Sequence, residues 1–241
     1  MLMLFYFIRH GDPIYDPDSL TPLGKRQAEA IGRRLAQTGI DALYVSSSNR
    51  AVQTAAPLSE MLHLPMNVLD WCSESHAWEE FTFSALPDGS DRRWVFDHPA
   101  TRPAMATDEV RGLGSRWYTH PIFAKTGCTG GVARIAAASD AFFAQLGYVH
   151  DPEKHTYLPV QHHERRIALF AHAGFGMAFL SYMLDIPYPL MCSFSYTHTG
   201  MTVIDFHPEN GVVYPTVLQY CGDGHLYREG LPTRYNNGPV I

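Results

Sequence analysis

Apolar runs and amphipathic stretches alternate over the first third of the chain. Leu2 to Ile8 is a continuous apolar run, which is typical of a strand buried on both faces of a sheet. Thr21 followed by Pro22 predicts a helix start, because threonine caps helices and proline fits their first turn. Gly39 predicts the end of that helix. The next predicted elements are a strand over Ala42 to Val45, a helix over Asn49 to Leu62 and a strand over Asn67 to Leu69.

The same alternation returns near the end of the sequence. The predicted elements there are a strand over Ile167 to Ala171, a helix over Gly174 to Leu184, and strands over Met201 to Phe206 and Val212 to Leu218 around a turn at Pro208 to Gly211. The order β-α-β-α-β, then β-α-β-β, predicts a three-layer α/β sandwich with a largely parallel sheet. We expect a single domain over residues 1–241.

The stretch from about residue 76 to residue 165 interrupts the alternation. It is rich in tryptophan, proline and glycine, and one helix stands out in it, Val132 to Leu146, ended by Gly147. We expect an inserted cap here, with its own small aromatic core, and we expect some of its aromatic side chains at the substrate entrance. The aromatic residues concerned are Trp78, Phe81, Phe83, Trp94, Phe96, Trp117 and Tyr118.

Composition narrows the class of protein. Of 241 residues, 46% are hydrophobic and 17% charged, so the chain can bury a core. No apolar run approaches the roughly 18 residues of a membrane span, and the start of the chain is too short and lacks the basic region of a signal peptide. The four cysteines form no CxxC motif. We therefore expect a cytoplasmic protein with reduced thiols and no membrane partner.

Net charge excludes one class of partner. Eighteen Lys and Arg against 24 Asp and Glu give a formal charge of −6, which argues against nonspecific nucleic-acid binding. A few arginines in a pocket still suffice for a small anionic ligand. The densest histidine cluster, His162-His163-Glu164, lacks helical zinc-site spacing, and we interpret it as a solvated loop.

Polar residues follow the predicted strands directly. Arg9 and His10 follow the first strand, Arg50 follows a serine-rich turn after the second, Glu74 follows the third, and His172 follows the strand that ends at Ala171. Because ligands bind at the carboxyl ends of strands in open α/β sheets, we expect these side chains to converge.

These residue types suit phosphoryl transfer. Two guanidinium groups can bind phosphoryl oxygens, one imidazole can attack phosphorus, and the other can stabilise the equatorial oxygens. A carboxyl group can protonate the leaving oxygen and later activate water. The helix starts after Ser48 and His172 are expected to add backbone N–H donors for an anion.

In this arrangement the chain resembles the histidine phosphatase superfamily, which includes the cofactor-dependent phosphoglycerate mutases. The matching motifs are Arg9-His10-Gly11, Leu20-Thr21-Pro22-Leu23-Gly24 with Gln27-Ala28, Ser46-Ser47-Ser48-Asn49-Arg50-Ala51 with Gln53-Thr54-Ala55, Glu74 with Trp78-Glu79, and His172-Ala173-Gly174. Five motifs in this order are a specific signal, although they leave the cap largely uncovered. The resemblance implies a phosphoglycerate mutase-like fold.

The resemblance also implies roles for particular residues. His10 would be the phosphorylated nucleophile and Glu74 the proton donor, with His172 as the second catalytic imidazole. The phosphoryl group would be held by Arg9, His10, Arg50, His172 and Ala173. We expect a phosphomonoester hydrolase that uses no metal and no cofactor and acts on a small phosphorylated metabolite. Inorganic phosphate or sulfate is expected to bind at the same residues.

Several alternatives stay open at this point. A mutase-type transfer is one, although Asp12 to Ser19 is a shorter spacer than the mutases have, and Ala173 stands where glycine is common. A phosphate-binding regulatory protein without turnover is another. Glu79 or Glu80 could replace Glu74 as the proton donor. The sequence names no substrate and leaves a homo-oligomer open.

Overall fold

A six-stranded sheet forms the centre of the computed structural model, which describes residues 3–161 and 163–234. The strands are β1 Leu4–Arg9, β2 Pro13–Tyr15, β3 Asp18–Leu20, β4 Ala42–Ser46, β5 Met66–Leu69, β6 Thr82–Phe83, β7 Arg93–Trp94, β8 Tyr148–Asp151, β9 Thr156–Pro159, β10 Arg166–Ala171, β11 Met201–Asp205, β12 Pro208–Glu209, β13 Val212–Val213 and β14 Thr216–Gly222. The helices are α1 Pro22–Thr38, α2 Asn49–Leu62, α3 Glu74–Glu80, α4 Asp108–Arg111, α5 Cys128–Gln145, α6 Ala173–Met183, α7 Tyr188–Met191 and α8 Gly224–Arg228. Short 3-10 helices cover Asp70–Cys72, Ala104–Ala106, Gly114–Thr119 and Pro121–Phe123.

The strand order of the main sheet is β14-β11-β1-β10-β4-β5. Strands β1, β10, β4 and β5 pair in parallel, whereas β11 pairs antiparallel with both β1 and β14. Only β11 therefore runs against the rest of this described sheet. The expected largely parallel α/β sandwich is confirmed.

Side chains of the central strands alternate between the two faces of the sheet. In β1, Phe5 and Phe7 pack into the larger core under α5 and α6, while Tyr6 and Ile8 pack into the core under α1 and α2. All four are buried, as the continuous apolar run predicted. Burial on both faces fixes the strand in the middle layer and brings its carboxyl end to the edge of the sheet.

Local signals set the bounds of α1. The Thr21 hydroxyl oxygen accepts a hydrogen bond from the Gly24 N–H at 3.0 Å, and Pro22 occupies the first helical position. Gly39 ends the helix with φ of 79°, a left-handed value that favours glycine. Helix α2 has the predicted bounds, Asn49–Leu62.

The predicted strand over Val212 to Leu218 is wrong. Residues 212–213 form β13, which pairs with Tyr157 in a separate sheet of order β12-β13-β9-β8. Strand β14 begins at Thr216 and pairs with β11 instead. Pro215 lies between the two strands and has no N–H to donate, so pairing breaks at that point.

The segment expected to form a cap contains one long helix that belongs to the layers of the sandwich. Helix α5 packs on the sheet, where Phe142 and Phe143 meet Phe5 edge-to-face with ring centroids 6.1 and 5.5 Å apart. Much of the rest is short 3-10 helix and turn. His162 lies outside the described residues, and His163 contacts the Leu146 carbonyl oxygen through Nε2 at 2.6 Å.

None of the described helices is both long enough and apolar enough to span a membrane.

Candidate active site

The predicted polar residues meet at the carboxyl edge of the sheet. They border a cleft of about 830 Å³. Its lining residues are Arg9, His10, Tyr15, Asp18, Ser48, Arg50, Ser73, Glu74, Ser75, Trp78, Trp94, Phe96, Asp97, Ala173, Gly174, Met177, Ser195 and Tyr196. His172 lies directly behind this lining, with its ring centroid 5.1 Å from that of His10. The six predicted site residues are therefore neighbours in space.

His10 is held as a neutral imidazole with a defined tautomer. Its Nδ1 lies 2.7 Å from the Gly11 carbonyl oxygen. A carbonyl oxygen can only accept, so Nδ1 carries the hydrogen and Nε2 keeps its lone pair. Burial, with nearby His172 and Arg9, holds the pKa of His10 well below its usual value. The ring is therefore uncharged and has one nitrogen available as a nucleophile.

Two guanidinium groups are anchored beside this ring. Arg9 is 1% exposed, and its Nη1 donates to the Tyr196 carbonyl oxygen at 2.6 Å. Arg50 Nη1 pairs with Asp18 at 2.8 Å, and the Arg50 guanidinium lies 5.4 Å from the centre of the Tyr15 ring. The Nε atoms of both arginines are buried without a hydrogen-bond partner among the described residues. Each side chain thus keeps donor capacity for an anion.

His172 is a second buried imidazole. It is 0% exposed, and its Nε2 lies 2.8 Å from the Ser46 hydroxyl at the end of β4. Burial, together with Arg50 and Arg9, holds the pKa of His172 well below its usual value. Its Nδ1 is buried and has no partner within the described chain. In the tautomer whose Nε2 accepts the hydrogen bond from the Ser46 hydroxyl, Nδ1 carries the ring hydrogen and can donate it to a ligand.

Glu74 spans the start of α6. Its two carboxylate oxygens accept the backbone N–H groups of Gly174 and Phe175 at 2.9 and 2.7 Å. Those bonds favour the charged form, yet burial outweighs them and raises the pKa of Glu74. A carboxyl group with a raised pKa is suited to proton donation.

Neighbouring carboxylates are engaged elsewhere. Glu79 pairs with Arg92 at 2.8 Å on the surface, and Glu80 pairs with Arg134 at 2.6 Å. Neither borders the cleft. Geometry thus favours Glu74 over both alternatives.

The remaining motif residues brace the loop after β1. Gly11 N–H donates to the Thr54 hydroxyl at 2.9 Å, and Asp12 N–H donates to the Gln27 side-chain oxygen at 2.8 Å. A Cβ on Gly11 would lie 2.7 Å from the Gly24 carbonyl oxygen, so this close backbone approach requires glycine. Helices α1 and α2 therefore fix the position of His10.

The sequence prediction missed Asp18. One oxygen of its carboxylate pairs with Arg50, and the other accepts the Asn49 N–H at 2.8 Å. The Asn49 N–H at the start of α2 thus already has a carboxylate partner, as do the Gly174 and Phe175 N–H groups at the start of α6 with Glu74. Ser47 points elsewhere and donates to Asp70 at 2.7 Å. Asp18 lies on a short hairpin, β2–β3, that the hydrophobic pattern did not predict.

A third imidazole also lies near the site. The His198 ring centroid is 5.8 Å from that of His10, and its Nδ1 is 3.5 Å from the Asp12 carboxylate. His198 precedes β11 in an irregular segment and follows no predicted strand, so sequence spacing gave no signal for it. Among the described residues, no group of three or more His, Cys, Asp or Glu side chains is arranged to hold a metal ion.

The aromatic residues of segment 76–165 divide into two sets. Trp78, Trp94 and Phe96 line the cleft. Phe81 and Trp117 are 0% and 2% exposed, pack in the larger core, and line a second cavity of about 510 Å³ instead. The expected separate aromatic core of the segment is therefore wrong, because Phe81 and Trp117 pack in the same core as the central strands and α5 and α6. The expected aromatic lining of the substrate site is present in Trp78, Trp94 and Phe96.

Comparison with protein families accounts for this set of residues. Residues 5–117 match the family model of the histidine phosphatase superfamily, branch 1. That range includes the motifs around His10, Arg50 and Glu74. The resemblance of the chain to the histidine phosphatase superfamily is thus confirmed over this range, which is a little under half of the chain. The expectation of an enzyme of histidine phosphatase type is confirmed.

Solved structures share the fold of this chain over nearly its whole length. A phosphoserine phosphatase from Entamoeba histolytica in complex with 3-phosphoglyceric acid is 16% identical, covers 93% of this chain and 99% of its own, and gives a TM-score of 0.57. A mycobacterial glucosyl-3-phosphoglycerate phosphatase is 18% identical, covers 92% and 100%, and gives 0.60. The α-ribazole phosphatase from Shigella flexneri is 19% identical, covers 91% and 96%, and gives 0.55. At these identities the likeness shows a shared fold.

No curated protein matches the sequence of this chain significantly.

Proposed function

We propose that this protein hydrolyses phosphate monoesters through a phosphohistidine formed at Nε2 of His10. The observation that carries the proposal is the tautomer of His10. Its Nδ1 hydrogen is committed to the Gly11 carbonyl oxygen, and its low pKa keeps Nε2 unprotonated. A neutral, oriented imidazole in the lining of a cleft is suited to act as a nucleophile.

Binding of the phosphoryl group is assigned to Arg9, Arg50, His172 and the backbone N–H of Ala173. Buried nitrogens of the first three lack a partner within the described residues, and phosphoryl oxygens would satisfy them. The two guanidinium groups supply the positive charge that the transition state requires, so we expect no metal ion to take part. Inorganic phosphate or sulfate is expected to occupy the same positions.

Glu74 is assigned the proton transfers. His10 Nε2 attacks phosphorus, the bond from phosphorus to the leaving oxygen breaks, and the Glu74 proton moves to that oxygen to give the free alcohol. The Glu74 carboxylate then takes a proton from water as the water oxygen attacks phosphorus and the bond from phosphorus to His10 Nε2 breaks, which returns the lone pair to Nε2. Inorganic phosphate leaves, and His10 and protonated Glu74 are restored.

Segment 76–165 is proposed to select the substrate. It contributes Trp78, Trp94, Phe96 and Asp97 to the cleft, whereas every residue assigned to the phosphoryl group lies outside it. We keep the interpretation of this segment as a cap within a single domain over residues 1–241, of which residues 3–161 and 163–234 are described.

A cytoplasmic location is part of the proposal. All four cysteines are free, and Cys72, Cys128 and Cys192 are buried. Free thiols are typical of a reducing compartment.

Hydrolysis and mutase-type transfer are separated by the fate of the phosphoryl group. Within the described part of the chain, the positively charged side chains that line the cleft are Arg9 and Arg50. His10 also lines the cleft, but its imidazole is neutral. A mutase must bind a substrate with a further anionic group, so this cation set favours the hydrolase.

The test is turnover of a phosphomonoester panel in ¹⁸O-labelled water with EDTA present. We expect inorganic phosphate that carries one oxygen from water, at a rate that EDTA does not change. Transfer to a second phosphoglycerate molecule without phosphate release would support the mutase. Binding of phosphate without any turnover would support a regulatory protein. Restoration of activity by a divalent ion would contradict the metal-free assignment.

A further inference from the structure

The leaving-group side of the cleft is marked by contacts around Gly174. A Cβ on that residue would lie 2.4 Å from Trp94 Cη2 and 2.9 Å from Glu74 Oε1. The edge of the Trp94 indole and the Glu74 carboxylate are therefore neighbours above the same backbone atom. A general acid must reach the leaving oxygen. The group attached to that oxygen thus leaves the site along Trp94.

Trp94 is part of a continuous aromatic wall. Its ring is nearly parallel to Phe96, with centroids 5.6 Å apart and planes at 11°. Trp78 meets Trp94 edge-to-face at 5.1 Å and 85°. Such packing fixes ring orientations and offers a flat apolar surface for a further ring.

Charges in the outer cleft oppose a second anion. Among the described residues that line the cleft, Arg9 and Arg50 are assigned to the phosphoryl group. Of the carboxyl groups in that lining, Glu74 is assigned the proton transfers and Asp18 pairs with Arg50, so Asp97 is the remaining outer charge. Arg92 stacks on Trp78 at 5.5 Å, but it is paired with Glu79 and does not border the cleft.

We propose that the substrate is a phosphomonoester whose leaving group carries an aromatic or heteroaromatic ring that is neutral or positively charged. The ring packs against Trp94 and Phe96 while the phosphoryl group reaches His10. Asp97 disfavours a carboxylate or a second phosphate on that ring. This inference rests on the proposed hydrolase function and names its substrate class.

The experiment compares kcat/KM for esters of matched leaving-group basicity. The panel is 2-phenylethyl phosphate, its para-carboxylate and para-trimethylammonio analogues, n-butyl phosphate and 3-phosphoglycerate. We expect the phenyl ester to exceed the butyl ester by about tenfold or more, the usual worth of a filled apolar subsite. Relative to 2-phenylethyl phosphate, we expect the para-carboxylate analogue to have a kcat/KM about fivefold lower. The para-trimethylammonio analogue should not have a lower kcat/KM.

Variants locate the preference. Trp94→Leu and Phe96→Leu should each lower the phenyl-to-butyl ratio, while inhibition by inorganic phosphate stays within about threefold because phosphate does not touch the wall. Asp97→Asn should relieve the carboxylate penalty. The matched controls are Tyr227→Leu and Asp108→Asn, both exposed and outside the cleft lining, and they should leave every ratio unchanged.

The outcomes separate the two proposals. Absence of hydrolysis for every ester would overturn the proposed function. Hydrolysis of all esters within threefold of one another, or a preference for 3-phosphoglycerate, would overturn the substrate class and leave the hydrolase intact. A phenyl preference that survives both Trp94→Leu and Phe96→Leu would also overturn it.

Discussion

At the scale of single residues, the site depends on opposite pKa shifts in two groups. Burial lowers the pKa of His10 and raises that of Glu74. His10 therefore stays unprotonated as the pH falls below the ordinary histidine value of about 6.5, and Glu74 stays protonated above its ordinary value of about 4.3. Base and acid are thus present together over a range in which ordinary side chains would not provide both.

Replacement of Glu74 by glutamine tests the acid role. We expect hydrolysis of an alkyl phosphate to slow by roughly 10²–10⁴-fold, the usual worth of general acid catalysis. Phosphorylation of His10 by an aryl phosphate with a good leaving group should slow far less, because that group departs without a proton.

The pH profile adds a second readout of the same substitution. In the wild type, single-turnover kcat/KM for the alkyl ester should fall as the pH rises through the raised pKa of Glu74, since the protonated form is then lost. Glu74→Gln should abolish that limb. Equal slowing of both ester types would contradict proton donation. Glu79→Gln is the matched control, since Glu79 is on the surface and pairs with Arg92.

At the scale of secondary-structure elements, the start of α6 organises the site. Its Gly174 and Phe175 N–H groups hold Glu74, and its Gly174 Cα supports Trp94. The first N–H groups of a helix need acceptors, and here the acceptor is the protein's own Glu74 carboxyl group. The proposed proton donor and the proposed substrate wall therefore contact the same turn of α6.

Gly174→Ala tests this arrangement. The added methyl group would lie within 2.4 Å of Trp94, so the indole or Glu74 must move. We expect kcat/KM to fall by about 10²-fold, the cost of a displacement near 1 Å in a catalytic constellation. Circular dichroism should report an intact fold.

A second glycine in a long helix provides the control for that substitution. A Cβ on Gly130 in α5 would meet nothing within 4 Å. Gly130→Ala should keep full activity and raise stability by up to about 1 kcal/mol. If Gly174→Ala stays within threefold of the wild-type rate, the coupling of Glu74 and Trp94 through α6 is wrong.

Elements differ in how far the sequence could predict them. The start of α1 follows from Thr21 and Pro22, and its end follows from Gly39. Each of these residues acts within one turn of the helix end that it sets. The break between β13 and β14 depends on Tyr157, which pairs with β13 and is distant from it in sequence, whereas β14 pairs with the nearby β11. Pro215 marked the break, but apolar residues on both sides concealed it.

Site residues divide along the same line. Arg9, His10 and His172 follow buried strands directly, so sheet topology alone brings them together. Asp18 and Trp94 lie on short or irregular segments whose positions depend on tertiary contacts. Sequence spacing therefore predicted which residues meet at the carboxyl edge of the sheet, where we propose that the phosphoryl group binds, and it left the proposed leaving-group side largely unresolved.

At the scale of the whole molecule, a catalytic edge and a selecting wall come from different parts of the chain. The sandwich layers hold His10, Arg50 and His172, while segment 76–165 contributes the wall beside Glu74. The formal charge of −6 is compatible with an anionic substrate, because buried Arg9 and part-buried Arg50 act locally within the cleft.

The phosphohistidine is the central claim. Its most direct test is rapid acid-free quenching of the full chain with a ³²P-labelled phosphomonoester, followed by peptide mapping. We predict acid-labile label on the peptide that contains His10 within one turnover. His10→Ala should carry no label and keep less than about a hundredth of the wild-type rate. His207→Ala, at an exposed histidine outside the cleft lining, should label normally. Label on any other residue, or a folded His10→Ala variant that retains more activity than this, would contradict the account.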